Sequence, residues 1–177
     1  SLYIHIPFCR VICPFCDFTK LKASSSHYTT YIQACCNEIS MYSQSPSLPI
    51  TTLFLGGGTP SVIPISQYID LFKQIHTTFN LDNCLEKSIE LNPEDVTESY
   101  IEGLLELGIT RVSLGIQSFL EKDCMFLGRG HSISDNHQAL SICQQYPIDI
   151  SIDLMFGLPH QTPADVNQSC LAACAYN

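Results

Sequence analysis

Apolar and β-branched runs of strand length recur at Leu2–Ile6, Thr52–Leu55, Lys87–Leu91, Arg111–Ile116 and Ile148–Met155. Between them the spacing of apolar positions changes to three and four. Ile65, Ile69, Phe72, Ile75 and Phe79 form one such stripe, which predicts a helix over Ile65–Phe79. Further helices are predicted at Tyr28–Tyr42, Val96–Leu107, Ser134–Gln145 and Pro163–Ala175. The helix at Val96–Leu107 is opened by Asn92-Pro93-Glu94-Asp95 and closed by Gly108, and it carries Glu98, Glu102 and Glu106 on a solvated face.

Strand and helix thus alternate five times, as parallel strands joined by right-handed crossovers require, so the class is α/β. A doubly wound sheet and a (β/α) barrel share that alternation. The positions of the unusual residues separate them. Cysteines follow the first strand, Gly56–Pro60 the second, and Gln117 the fourth; Glu90–Pro93 lie at the third, Asp153 and Gly157 at the fifth. Both folds bind ligands at the C-terminal ends of strands, but a site fed by five successive strands favours a curved wall. The expected architecture is an incomplete parallel (β/α) barrel of five βα units.

Composition narrows the function classes. A chain of 177 residues has the size of one domain, and 45% hydrophobic against 14% charged residues excludes a disordered segment. No apolar run reaches a membrane span, so no membrane association is indicated. Seventeen acidic against eight basic residues leave a net charge of −9, the wrong sign for nucleic acid. The ten cysteines are clustered near the start instead of spread as a disulfide framework, which points to the reducing cytoplasm. Ser1–Phe8 lacks a basic leader, a long apolar stretch and a cleavage site.

Candidate chemistry begins with Cys9-Arg-Val-Ile-Cys13-Pro-Phe-Cys16, three thiols in a loop opened by Pro7 directly after a strand. Such crowding calls for a soft metal centre. Zinc needs four ligands, and only Asp17 or His5 is near enough in sequence to be the fourth. An iron–sulfur cluster can use three thiolates and leave one iron open, which makes it the preferred reading over zinc or unliganded thiols. The other seven cysteines, Cys170 and Cys174 on one helix face among them, read as small buried hydrophobes.

Gly56, Gly57 and Gly58 form either a plain turn or a place where backbone approaches a ligand, with the Thr59 hydroxyl beside it. Glu90 closes an apolar strand, where a carboxylate is costly unless it meets a donor such as a hydroxyl or ammonium. Arg129, between Gly128 and Gly130 in a chain poor in bases, reads as an anion clamp with a surface arginine as the alternative. His5 and His131 are as readily structural as functional.

Cys-x-x-x-Cys-x-x-Cys resembles the signature of the radical S-adenosylmethionine (SAM) superfamily. Tyr3-Ile-His-Ile-Pro-Phe-Cys9, Phe54-Leu-Gly-Gly-Gly-Thr-Pro-Ser61, Glu90-Leu-Asn-Pro-Glu94, Arg111-Val-Ser-Leu-Gly-Ile-Gln-Ser-Phe119, Leu127-Gly-Arg-Gly-His131 and Asp153-Leu-Met-Phe-Gly-Leu-Pro159 are similar, in order, to blocks of the oxygen-independent coproporphyrinogen III oxidase family and its haem-chaperone branch. The resemblance implies a [4Fe–4S] cluster on Cys9, Cys13 and Cys16, whose open iron binds SAM for one-electron cleavage to a 5′-deoxyadenosyl radical. It assigns SAM contacts to Tyr3, Phe15, Gly57, Gly58, Thr59 and Glu90, and contacts to a second SAM-like ligand to Gln117, Arg129 and Asp153.

It implies two functions. One is a chaperone that carries haem to acceptor proteins. The other is the oxidase, a coproporphyrinogen dehydrogenase-type oxidoreductase converting two propionates to vinyl groups, served by an electron donor. Haem or porphyrin is the expected partner of either, and a structural zinc domain is the third, disfavoured class. The oxidase branch continues Cys-x-x-Cys-x-Cys, whereas this chain has Phe18 at the last site, which favours the chaperone. The missing initiator Met and the end at Ala172–Asn177 add the expectation that residues 1–177 are a radical SAM core cut before its last strand or strands and a C-terminal domain.

Overall fold

The computed structural model describes residues 1–22, 24–43 and 49–176. Five strands, β1 (Leu2–Ile6), β2 (Thr52–Gly57), β3 (Glu86–Leu91), β4 (Arg111–Gln117) and β5 (Asp149–Leu154), form one all-parallel sheet in the order β1-β2-β3-β4-β5. Helices α1 (Ser26–Ser40), α2 (Ile65–Thr78), α3 (Glu98–Glu106), α4 (Glu121–Phe126), α5 (Ile133–Cys143) and α6 (Pro163–Cys174) fill the connections. The strand order never reverses, so the sheet has no switch point of the doubly wound kind. It is the partial barrel wall that the strand-end residues predict.

Side-chain alternation explains why helices cover one face only. Along β4, Val112, Leu114 and Ile116 are fully buried, while Arg111, Ser113, Gly115 and Gln117 between them are not. Leu53 and Leu55 of β2 and Ile89 and Leu91 of β3 join the buried side, against Leu71 and Ile75 of α2 and Ile101 and Leu104 of α3. A parallel sheet packed on both faces would be apolar throughout. Here the inner positions are polar, Tyr3 and His5 among them, and Glu90, Ser113 and Asp153 border an open cleft. Outside, α1 packs on α2, α2 on α3 and α3 on α5.

Several local expectations change. The predicted helix at Val96–Leu107 starts two residues later, at Glu98, because Pro93–Asp95 forms a separate 3₁₀ turn and the Thr97 side chain caps the helix by accepting from the Tyr100 N–H. Glu98, Glu102 and Glu106 are exposed, as expected. Ile69, placed on the buried stripe of α2, is 54% exposed, and Tyr68 and Leu71 take the core positions instead. Helix α4 went unpredicted; at six residues it is too short to show a helical stripe. The buried-hydrophobe reading holds for Cys36, Cys124 and Cys143 but not for Cys170 and Cys174, which are exposed.

Candidate functional site

The cysteine loop leaves β1 and returns to its own base. Cys9 donates its N–H to the Leu21 carbonyl at 3.1 Å, and Leu21 donates to the Pro7 carbonyl at 2.8 Å. This closure makes an Ω-like loop. Phe8 anchors the base by packing on Tyr28 and Tyr31 of α1, with ring centroids 4.9 and 5.2 Å apart. His5 props the far side: Nε2–H donates to the Thr19 carbonyl at 2.8 Å, and Nδ1 accepts from the Tyr3 hydroxyl at 2.9 Å. Histidine 5 is thus a satisfied structural group.

Within the loop Cys9 and Cys13 are buried and Cys16 half-buried. Burial pushes the Cys9 thiol up, the Thr59 hydroxyl opposes this from 3.5 Å, and the nearby Cys16 and Cys13 add to the rise. A buried thiol crowded by two others gains from a cation that takes it as a thiolate. Among the described residues no three His, Cys, Asp or Glu side chains converge on the position of a single ion.

The floor of the cleft is the turn after β2. Gly57 sits at φ +126°, and a Cβ there would lie 2.7 Å from the His5 ring and 2.9 Å from the Ile6 carbonyl. A Cβ on Gly58 would lie 2.9 Å from Cys9 Sγ. Only glycine lets this backbone lie against the cysteine loop. The Gly57 N–H donates to Glu90 Oε2 at 3.0 Å.

Glu90 and Asp153 make an acidic wall on the inner sheet face. Burial pushes the Glu90 carboxyl above its ordinary value, the Gly57 N–H opposes this, and Asp153 adds to the rise. Asp153 is likewise pushed up by burial, against two hydrogen bonds from the Ser113 hydroxyl at 3.1 and 3.2 Å and the charge of Arg111. A ligand ammonium or hydroxyl placed at this wall would relieve both. Gln117 ends β4 with φ +68° at a register shift against β5, a left-handed conformation that costs a non-glycine residue about 1 kcal/mol and turns its side chain into the cleft.

Opposite stands Arg129. Its Nη2 donates to Asn92 Oδ1 at 2.9 Å and to the Gly115 carbonyl at 2.8 Å, and Nη1 reaches Cys13 Sγ at 3.6 Å. Nε is buried with no partner among the described residues. The guanidinium therefore belongs to the cleft and is not a surface group. His131 is buried, 3.3 Å from Glu94, whose carboxyl burial pushes up but His131 and Arg129 bring below its ordinary value.

Behind the loop, Arg10 donates through Nε and Nη2 to Asp95 Oδ1 at 2.9 and 2.6 Å, and the Ser61 hydroxyl donates to Asp95 Oδ2 at 2.7 Å. Ser61 in turn accepts from the Asn92 N–H at 3.0 Å. This latch joins the cysteine loop to the turns after β2 and β3. Asp95→Ala leaves the Ser61 donor and the guanidinium without their acceptor, for a loss of about 2 kcal/mol. Calorimetry should find the melting temperature lowered by roughly 4 to 8 °C, and an unchanged value would remove the latch from the account.

One cleft brings together Cys9, Cys13, Cys16 and Phe15 of the loop, Gly57, Gly58 and Thr59 of the floor, and Glu90, Gln117, Arg129 and Asp153. Tyr3 is not among its lining residues. It lies nearer the start of β1, stacked on Phe54 at 5.8 Å, although still close enough to Glu90 for that charge, after burial, to raise its hydroxyl. Sequence reasoning missed Lys20, Asn92 and Ser113 in the cleft and the Arg10–Asp95 latch behind it. The alternation of β4 could have found Ser113; the others depend on contacts between loops.

Comparison with known proteins agrees with this geometry. The sequence profile of the radical SAM superfamily matches residues 3–172. Haem chaperone HemW of Synechocystis sp. is 37% identical over 99% of this chain and 44% of its own length. An oxygen-independent coproporphyrinogen III oxidase of Paracoccus denitrificans is 31% identical over 96% of this chain and 38% of its own. The structure of coproporphyrinogen III oxidase (HemN) from Escherichia coli, described as a radical SAM enzyme, superposes with a TM-score of 0.91 at 28% identity, over 100% of this chain and 42% of that one. The chain spans less than half the length of each of these relatives. Its sheet, its three-cysteine loop and a profile match over nearly its whole length make it a member of the radical SAM superfamily, which implies a [4Fe–4S] cluster and SAM.

Proposed function

We propose that this chain is the radical SAM core of a haem chaperone, with Cys9, Cys13 and Cys16 as cluster ligands. A buried Cys9 thiol crowded by two others, glycines whose Cβ atoms would collide with the loop, and a buried guanidinium nitrogen without a partner among the described residues all fit that pair of cofactors. When bound, the cluster and SAM supply one-electron cleavage of a sulfonium C–S bond. The chain's own residues do the positioning. Gly57 and Gly58 let backbone approach the ligand, Glu90 accepts from its ammonium or hydroxyls, and Gln117, Arg129 and Asp153 serve a second ligand of the same kind. Tyr3 and Phe15 carry the remaining proposed SAM contacts, and Thr59 offers its hydroxyl. Haem or porphyrin, haem-acceptor proteins and, for the catalytic reading, an electron donor are the partners that follow.

The observation that carries the chaperone over the oxidase is Phe18. It lines the cleft 71% exposed at the place where the oxidase branch carries a further cysteine. Its ring has no proton to exchange and offers instead an apolar face. The high structural similarity to HemN supports the oxidase as the second reading. Anaerobic incubation of the reconstituted protein with SAM, a reductant and coproporphyrinogen III, beside a haem titration, separates the two. Haem binding with no divinyl product is the expected result; product whose formation is lost in Cys9→Ala overturns it.

A further inference from the structure

Two cations line the cleft, and they differ in what surrounds them. Arg129 gives its Nη2 to Asn92 and Gly115 and has Glu94 nearby. Lys20, in contrast, donates Nζ to the carbonyls of Cys16 and Phe18, and no carboxylate of the described residues lies within 4 Å of it. Two carbonyl oxygens hold an ammonium in place without cancelling its charge, and they leave its third proton free. Glu90 and Asp153, which also line the cleft, repel anions. Beside Lys20 stands Phe18, whose carbonyl it holds and whose ring lines the cleft 71% exposed. A half-buried cation flanked by open apolar surface matches a molecule that carries a carboxylate on an apolar body.

We propose that Lys20, with Phe18, forms a subsite for a carboxylate borne on an apolar ring, a propionate of the porphyrin ligand. The inference rests on the porphyrin reading above and adds to it the side on which the ring sits. The carboxylate docks on the loop side, at the free Nζ proton, while the ring covers Phe18 and leaves the acidic wall to ligands with ammonium or hydroxyl groups. Lysine 20 is then a binding residue and more than a tie for two loop carbonyls.

The test uses the cluster-loaded protein with coproporphyrin III and its uncharged tetramethyl ester, titrated by absorbance. Lys20→Gln should weaken the free acid about tenfold, as loss of one charge-assisted hydrogen bond requires, and leave the ester unchanged; Lys20→Arg should keep the affinity of the parent. Iron and sulfide content and the SAM-induced change in the electron paramagnetic resonance spectrum should be the same in Lys20→Arg and the parent, and Lys20→Gln is titrated per cluster-loaded protein because Lys20 also holds the Cys16 carbonyl. Wild-type protein gives an independent measurement that needs no variant to fold. Coproporphyrin III, but not the ester, should protect Lys20 from acetylation relative to Lys73 and Lys122, read by mass spectrometry. Equal loss for acid and ester, no loss in Lys20→Gln, or equal acetylation with and without the acid overturns the subsite alone. A parent that binds neither porphyrin overturns the subsite and the functional reading together.

Discussion

Cys9→Ala, Cys13→Ala and Cys16→Ala should each reduce iron and sulfide to background after anaerobic reconstitution, whereas alanine at Cys35, Cys36, Cys84, Cys124, Cys143, Cys170 or Cys174 should leave both at the level of the parent. A cluster held by three thiolates keeps only two when one is removed, and no other cysteine in the cleft can replace it. Cys9 is joined to the floor by the Thr59 hydroxyl, and Cys13 takes a donor from Arg129, so two of the three thiols are also oriented by groups outside the loop. Cys124 and Cys143 are buried far from this loop in sequence, and their truncation should cost only the packing of one sulfur, about 1 kcal/mol. The expected pattern is therefore all or nothing in cluster content. A full cluster in Cys13→Ala, or its loss in Cys84→Ala, would falsify the ligand assignment.

The second large effect is expected at the glycine floor. In Gly58→Ala the new methyl meets Cys9 Sγ, the Phe8 carbonyl and the Pro7 carbonyl carbon, each at 2.9 Å. Two of the three are backbone and cannot swing aside. Gly57→Val adds a second injury, because its φ of +126° disfavours any side chain, and the added bulk enters the His5 ring and the Ile6 carbonyl. Strain and overpacking together should cost several kcal/mol locally, roughly 1–3 from each source. Either variant should bind SAM at least tenfold more weakly by electron paramagnetic resonance titration, and Gly58→Ala should also assemble less cluster. Gly157→Ala is the control: it too has positive φ, at +82°, but its Cβ would meet nothing within 4 Å. It should lose about 1 kcal/mol of stability and keep its affinity for SAM. Parent-like SAM binding in Gly58→Ala would mean that the floor does not touch the ligand.

Much of the site was already legible because its parts are local. The three thiols fall within eight residues of one loop, so their chemistry is a property of spacing. The five strands read out because each turns its apolar side chains to one face, and polar residues at their C-terminal ends border the cleft. Glu90 stood out as a carboxylate closing an apolar strand, and Arg129 as a base between two glycines in an acidic chain. Ile69 misled because a helical stripe drawn on apolar identity alone ignores that Tyr68 packs its ring and donates its hydroxyl to the Pro60 carbonyl at 2.8 Å.

What the sequence determined by itself, then, is the order of strands and helices, the thiol motif and the edge of the sheet on which the unusual residues gather. Only the tertiary structure decided that helices cover a single face, that Arg10 pairs with Asp95 across 85 residues, and that Arg129 reaches Cys13 across 116. It also set Tyr3 apart from the cleft lining and left Lys20 in it without an acid partner among the described residues. The physical reason is one of range. Periodicity and spacing report on interactions within a turn or a strand, whereas these contacts join loops of different strands and exist only once the parallel sheet has brought its C-terminal ends to one edge.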